Sequence, residues 1–102
     1  MKRRILVVED NEQNIYLLTY LLEQAGFEVL QARDGRAGLA LAQAGDPPDL
    51  VLLDIQLPEM DGYAVARALR GMEGFADLPI LAVTSYAMAG DRERILDAGC
   101  SG

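Results

Sequence analysis

The sequence predicts an α/β protein in which helices cover both faces of a doubly wound parallel sheet. Three observations carry that expectation. Short apolar runs recur along the chain, stretches of helical periodicity separate them, and glycine or proline marks most of the changes between the two. At 102 residues the chain fits a single domain, residues 1–102, with no internal repeat and no linker.

The elements follow in order. Ile5-Leu6-Val7-Val8 is a continuous apolar run rich in β-branched residues, the pattern of a strand buried on both faces. Leu17, Leu18, Leu21, Leu22 and Ala25 then recur at helical spacing, and Gly26 stops that helix. Phe27 to Ala32 alternates and predicts a second strand. Asp34 caps a helix whose Ala37, Ala40, Leu41 and Ala44 are expected on one face, and Gly45-Asp46-Pro47-Pro48 breaks it. Leu50 to Leu53 form the third strand, which ends at Asp54. A loop with Pro58 and Gly62 leads to a helix through Val65, Ala66 and Leu69, and residues 71–77 connect onward. Pro79 opens the strand Ile80 to Thr84, and a fourth helix runs from about Asp91 to Ala98 with Ile95 and Leu96 inward and Gly99 as its stop. This β-α alternation implies right-handed crossovers between parallel strands.

Charge narrows the function. Nine basic residues against sixteen acidic ones give a net charge of −7. Such a chain repels nucleic acid and anionic lipid, so direct binding to either is disfavoured; solubility alone is the plain alternative purpose of the acidity. Cys100 is the single cysteine, which excludes an internal disulfide and fits a reducing, cytoplasmic setting. Met1 to Arg4 are followed by only four apolar residues, too few for a secretory signal, and no apolar run is long enough to cross a membrane.

In open parallel sheets, ligands bind beyond the carboxyl ends of the strands. Here the first strand ends in Glu9-Asp10, the third in Asp54 and the fourth in Thr84-Ser85. If the first and third strands are neighbours, three carboxylates converge, repel and raise one another's pKa. A divalent cation removes the conflict, and hard oxygen ligands suit Mg²⁺ best. One acid at a strand end is an ordinary polar residue; three, with a hydroxyl beside them, point to chemistry. The chain has no histidine, which excludes a histidine triad or a histidine zinc site. Neither a G-x-x-x-x-G-K-[ST] loop nor a G-x-G-x-x-G fingerprint occurs. The first β-α loop is anionic, so it needs a metal to hold a phosphate.

Val-Val-Glu-Asp-Asn at 7–11, Leu-Leu-Asp-Ile-Gln-Leu-Pro-Glu-Met-Asp-Gly at 52–62 and Leu-Ala-Val-Thr-Ser at 81–85 resemble, in order and spacing, the signature of the response regulator receiver domain, the CheY-like superfamily. The resemblance covers the whole chain. It looks most like single-domain regulators of the DivK type or the receiver modules of hybrid histidine kinases. The resemblance implies a flavodoxin-like sheet of order 2-1-3-4(-5). It also implies a phosphoprotein of two-component signal transduction, which catalyses only its own phosphorylation and dephosphorylation and is otherwise no enzyme. Asp54 would take the phosphoryl group from a sensor histidine kinase or a histidine phosphotransferase in a phosphorelay. Glu9, Asp10, Asp54 and the backbone carbonyl of Gln56 would hold Mg²⁺ or Mn²⁺, and Thr84 would be the switch hydroxyl. Output would pass by contact with a downstream protein. Gln56 and Tyr86 would line the path of the attacking water. Ile15, Tyr16 and Leu18 would lie on the kinase-docking helix, with Tyr16 exposed.

Receivers continue into a fifth strand, a lysine and a fifth helix, and the sequence holds no counterpart of these up to Gly102. The domain is therefore expected to be incomplete at its C-terminus. Its fourth strand would be an unpaired edge, and bare apolar sheet surface would invite a homodimer. Two other readings fit parts of the pattern: a magnesium-dependent phosphatase of the haloacid-dehalogenase type, and a pseudo-receiver that binds partners without phosphorylation. The phosphatase needs a second aspartate two residues after its nucleophile, where this chain has Gln56.

Overall fold

The computed structural model describes residues 3–44, 47–54, 62–72, 75 and 78–83. In chain order these form β1 (Arg4–Val8), α1 (Glu12–Gln24), β2 (Glu28–Ala32), α2 (Gly35–Gln43), β3 (Leu50–Asp54), α3 (Gly62–Arg70) and β4 (Ile80–Val83). All four strands are parallel, in the order β2-β1-β3-β4. The predicted fold class and the first four positions of the strand order are therefore present. The predicted helix at 91–98 lies outside the described residues, as do Pro58, Tyr86 and the end of the fourth strand at Thr84.

Register makes the sheet a set of straight rows. Val8 stands beside Ala32 on one side and Leu53 on the other. Because side chains alternate across a strand, one set points to each face. Leu6, Val8, Ala32, Val51, Leu53 and Ile80 pack with Ala42 of α2 and Val65, Ala66 and Leu69 of α3. Burying such side chains stabilises the fold by about 1.5–3 kcal/mol each. Ile5 and Val7 are buried outside that cluster, on the face that carries α1. There α1 lies over β1 and β2. Further across that face Leu52 is half-buried and Leu81 is 39% exposed.

The caps explain where the helices begin and end. Asn11 is extended, and its side chain accepts the Asn14 N–H at 3.0 Å. At the other end of α1, the Gly26 N–H donates to the Glu23 carbonyl and the Phe27 N–H to the Leu22 carbonyl. That pairing needs a left-handed residue, and Gly26 supplies φ 96°. Asp34 caps α2, accepting the Ala37 N–H at 2.7 Å.

The buried side of α1 is narrower than its leucine spacing suggests, and the predicted face of α2 needs correction. In α1 the buried residue is Ile15, while Leu18 and Leu22 are half-buried and Leu17 and Leu21 are more than half exposed. The paired leucines form a stripe wider than two strands can cover, so only its inner side meets β1 and β2. In α2, Gly35, Gly38 and Ala42 are buried, whereas Ala40 and Ala44 are exposed and Ala44 caps the helix from outside. Alanines mark a face weakly; close approach decides it. A Cβ on Gly38 would lie 2.9 Å from a methyl of Val8, so the helix backbone itself rests on the sheet.

Candidate functional site

The site forms at the carboxyl edge of the two central strands. Glu9 follows β1, Asp54 ends β3, and these strands are hydrogen-bonded neighbours. Glu9, Asp10 and Asp54 each bring a carboxylate oxygen within 4.8 Å of the others. Glu9 is 4% exposed and Asp54 8%, while Asp10 is exposed to solvent. The three predicted acids therefore do come together. Thr84 and Gln56, the other predicted site residues, lie outside the described residues.

Each acid is placed by backbone. The Glu9 N–H donates to the Ala32 carbonyl at 2.9 Å, extending the β1–β2 ladder one residue past β1. The Glu9 carboxylate then accepts the Asn11 N–H at 3.3 Å, and Asn11 opens α1. Asp54 is carried by the buried strand residues Val51 and Leu53.

Burial pushes the Glu9 carboxyl up to about 7, and the Asp54 carboxyl hydrogen-bonded to it pushes the same way. The Asn11 N–H and the Asn14 side chain pull against this. Desolvation, rather than the mutual repulsion that the sequence predicts, is the larger cause. Two buried carboxyl groups this close favour a shared proton or a cation between them. A divalent cation can take that proton's place, since three clustered hard oxygen donors are what Mg²⁺ or Mn²⁺ requires.

Sequence reasoning missed Arg33 and Glu12. Arg33 follows β2, and its guanidinium binds both oxygens of Glu12 in the first turn of α1, through Nε and through Nη2, the latter at 3.0 Å. The pair holds Glu12 below the usual carboxylate range and Arg33 above its ordinary value. The available signal was a cation directly after the strand that adjoins β1.

The fold meets independent support from known proteins. Residues 5–102 match the response regulator receiver domain family, and the chain belongs to that family, a receiver of two-component signalling. Within that class it is similar to the polar-differentiation response regulator DivK of Brucella ovis. The two are 44% identical over 100 residues, 98% of this chain and 80% of that one. Among solved structures, the chemotaxis protein CheY4 of Vibrio cholerae superposes with a TM-score of 0.94 at 28% identity, covering all of this chain and 84% of the other. The receiver domain of the sensor histidine kinase PA1611 of Pseudomonas aeruginosa superposes with a TM-score of 0.89 at 36% identity, covering 99% and 82%. That structure has a magnesium ion coordinated in its active-site cleft. Among the described residues no helix is long and apolar enough to cross a membrane.

Proposed function

We propose that Asp54 is the phosphoacceptor and that Glu9, Asp10 and Asp54 hold a Mg²⁺ or Mn²⁺ ion beside it. The observation that carries this reading is the convergence of those three carboxylates, within 4.8 Å, at the carboxyl edge of neighbouring strands. When bound, the cation offsets negative charge on the phosphoryl oxygens. The chain supplies the nucleophile. A carboxylate oxygen of Asp54 forms the new O–P bond, the P–N bond of a phosphohistidine on the partner breaks, and the imidazole leaves with the electron pair. The backbone carbonyl of Gln56 would complete the metal's protein ligands, and Thr84 would bind a phosphoryl oxygen. Residues 1–102 act in this reading as one receiver unit in the cytoplasm, turning over no external substrate.

The donor would be a sensor histidine kinase or a histidine phosphotransferase docking on α1. Tyr16 is 74% exposed there and suits that role, Leu18 is half-buried, and Ile15, 1% exposed, is a core residue that cannot dock. Output would pass to a protein partner. The exposed Leu81 favours apolar contact on the sheet face, the surface that a homodimer would use.

Incubation with Mg²⁺ and acetyl phosphate, read by intact mass, tests the central claim. One phosphoryl adduct is expected, absent in Asp54→Asn and absent with excess chelator. An unlabelled wild-type chain, or a labelled Asp54→Asn chain, would refute it.

A further inference from the structure

Asp10 sits in a loop that is tied to the end of β2 on both sides. Before it, the Glu9 N–H donates to the Ala32 carbonyl at 2.9 Å. After it, Glu12 grips the next β2-side residue, Arg33, through both carboxylate oxygens. Consecutive residues of one strand end thus hold the two flanks of a loop whose middle residue brings a carboxylate to the cluster. Register sharpens the placement. Val8, Ala32 and Leu53 share a row, and Glu9, Arg33 and Asp54 are the residues that directly follow them. Neighbouring strands lie about 4.8 Å apart, which puts Arg33 beside the acids but with Glu9 between it and Asp54.

Among the described residues, little else fixes Asp10. The Asn11 N–H bond to the Glu9 carboxylate is long, at 3.3 Å, and it uses an oxygen that a cation would draw on. Among the described residues the other restraint is the cap from Asn11 to Asn14, which orders the helix more than the residue before it.

Resting on the metal reading above, we infer that the Glu12–Arg33 ion pair is a positioning strap that presets the Glu9-Asp10 loop for a divalent cation. As an exposed ion pair it adds little to global stability. Its effect is local, because groups that orient metal ligands without touching the metal set affinity by roughly 10- to 100-fold when buried, and less when exposed. An effect of about 3- to 10-fold is expected here.

The sign of the effect separates a strap from simple charge. Through space, removing Arg33's positive charge would tighten cation binding, and removing Glu12's negative charge would weaken it. A strap requires both to weaken it. The experiment is calorimetric titration of Mg²⁺ into the wild type, Glu12→Gln, Arg33→Gln, the double variant and Arg33→Lys. Thermal melts check that each is folded, and hydrogen exchange over residues 9–12 is followed in the metal-free proteins. The expected result is about 3- to 10-fold weaker binding in either single variant, no further loss in the double, partial recovery in Arg33→Lys, and faster exchange in that loop. Tighter binding in Arg33→Gln, additive losses, or unchanged exchange would overturn the strap alone. A wild-type chain that binds no Mg²⁺ would overturn the metal reading and the strap with it.

Discussion

The two ends of the same sheet treat their acids in opposite ways. At the amino edge, the Asp49 side chain accepts the Arg4 backbone N–H at 2.8 Å, the Asp49 N–H donates back to the Arg4 carbonyl, and Glu28 lies 3.9 Å from the Arg4 guanidinium. Each acid there meets a donor, in contact with solvent. At the carboxyl edge Glu9 and Asp54 are buried against one another, with Asp10 at their side. The first arrangement fastens strands. The second buries acids against one another at a cost to the metal-free fold once both are charged, the arrangement that the proposed cation site would relieve.

The largest test removes the frame that the carboxyl edge stands on. Leu53 is fully buried directly before Asp54, so Leu53→Ala should destabilise the protein by about 2–5 kcal/mol in urea unfolding. A loss under about 1 kcal/mol would mean that the core under the site is loosely packed.

Next in size is the pH dependence of the acid pair. Glu9 titrates at about 7 in the folded protein against an ordinary value of 4.5, so between those values the folded state holds a proton that the unfolded chain has released. Stability is therefore full below the lower value and falls as pH rises through the upper one, by on the order of 2–3 kcal/mol. Urea unfolding at acidic and alkaline pH without metal should show that fall, and saturating Mg²⁺ should reverse much of it. Metal binding should also release a proton near neutral pH, measurable as a buffer-dependent binding enthalpy. A metal-free protein equally stable on both sides of neutrality would refute the tension assigned to this edge.

The amino edge should give the smallest effect. Asp49→Ala removes an exposed, charge-assisted bond and should cost about 0.5–1.5 kcal/mol, leaving the phosphoryl adduct at Asp54 intact. A large loss of labelling would mean that the two edges are coupled through β1 and β3.

Strand positions, the acid cluster and the inward face of α3 could be read from the sequence because each rests on a strong local signal. Val65, Ala66 and Leu69, for instance, are all fully buried, as their spacing predicts. The faces of α1 and α2 were harder. In α1, leucines lie on more of the helix than the sheet can cover, so tertiary placement chooses Ile15 over Leu17 and Leu21. In α2, the contact runs through Gly38, which has no side chain to advertise it. At the site, alternation of strands and helices brought Glu9 and Asp54 together only on condition that β1 and β3 pair, which the register satisfies. Arg33 escaped notice because its partner lies 21 residues away, on a helix whose rotation the sequence did not fix.

The outward stripe of α1 also decides what light can report. The chain has no tryptophan and four tyrosines, and Tyr16 and Tyr20 both stand on that stripe, 74% and 53% exposed. Near-ultraviolet emission therefore comes in good part from a surface that unfolding barely changes and that a docked partner would cover. A spectrometer pointed at this protein is better placed to record an encounter than a melt.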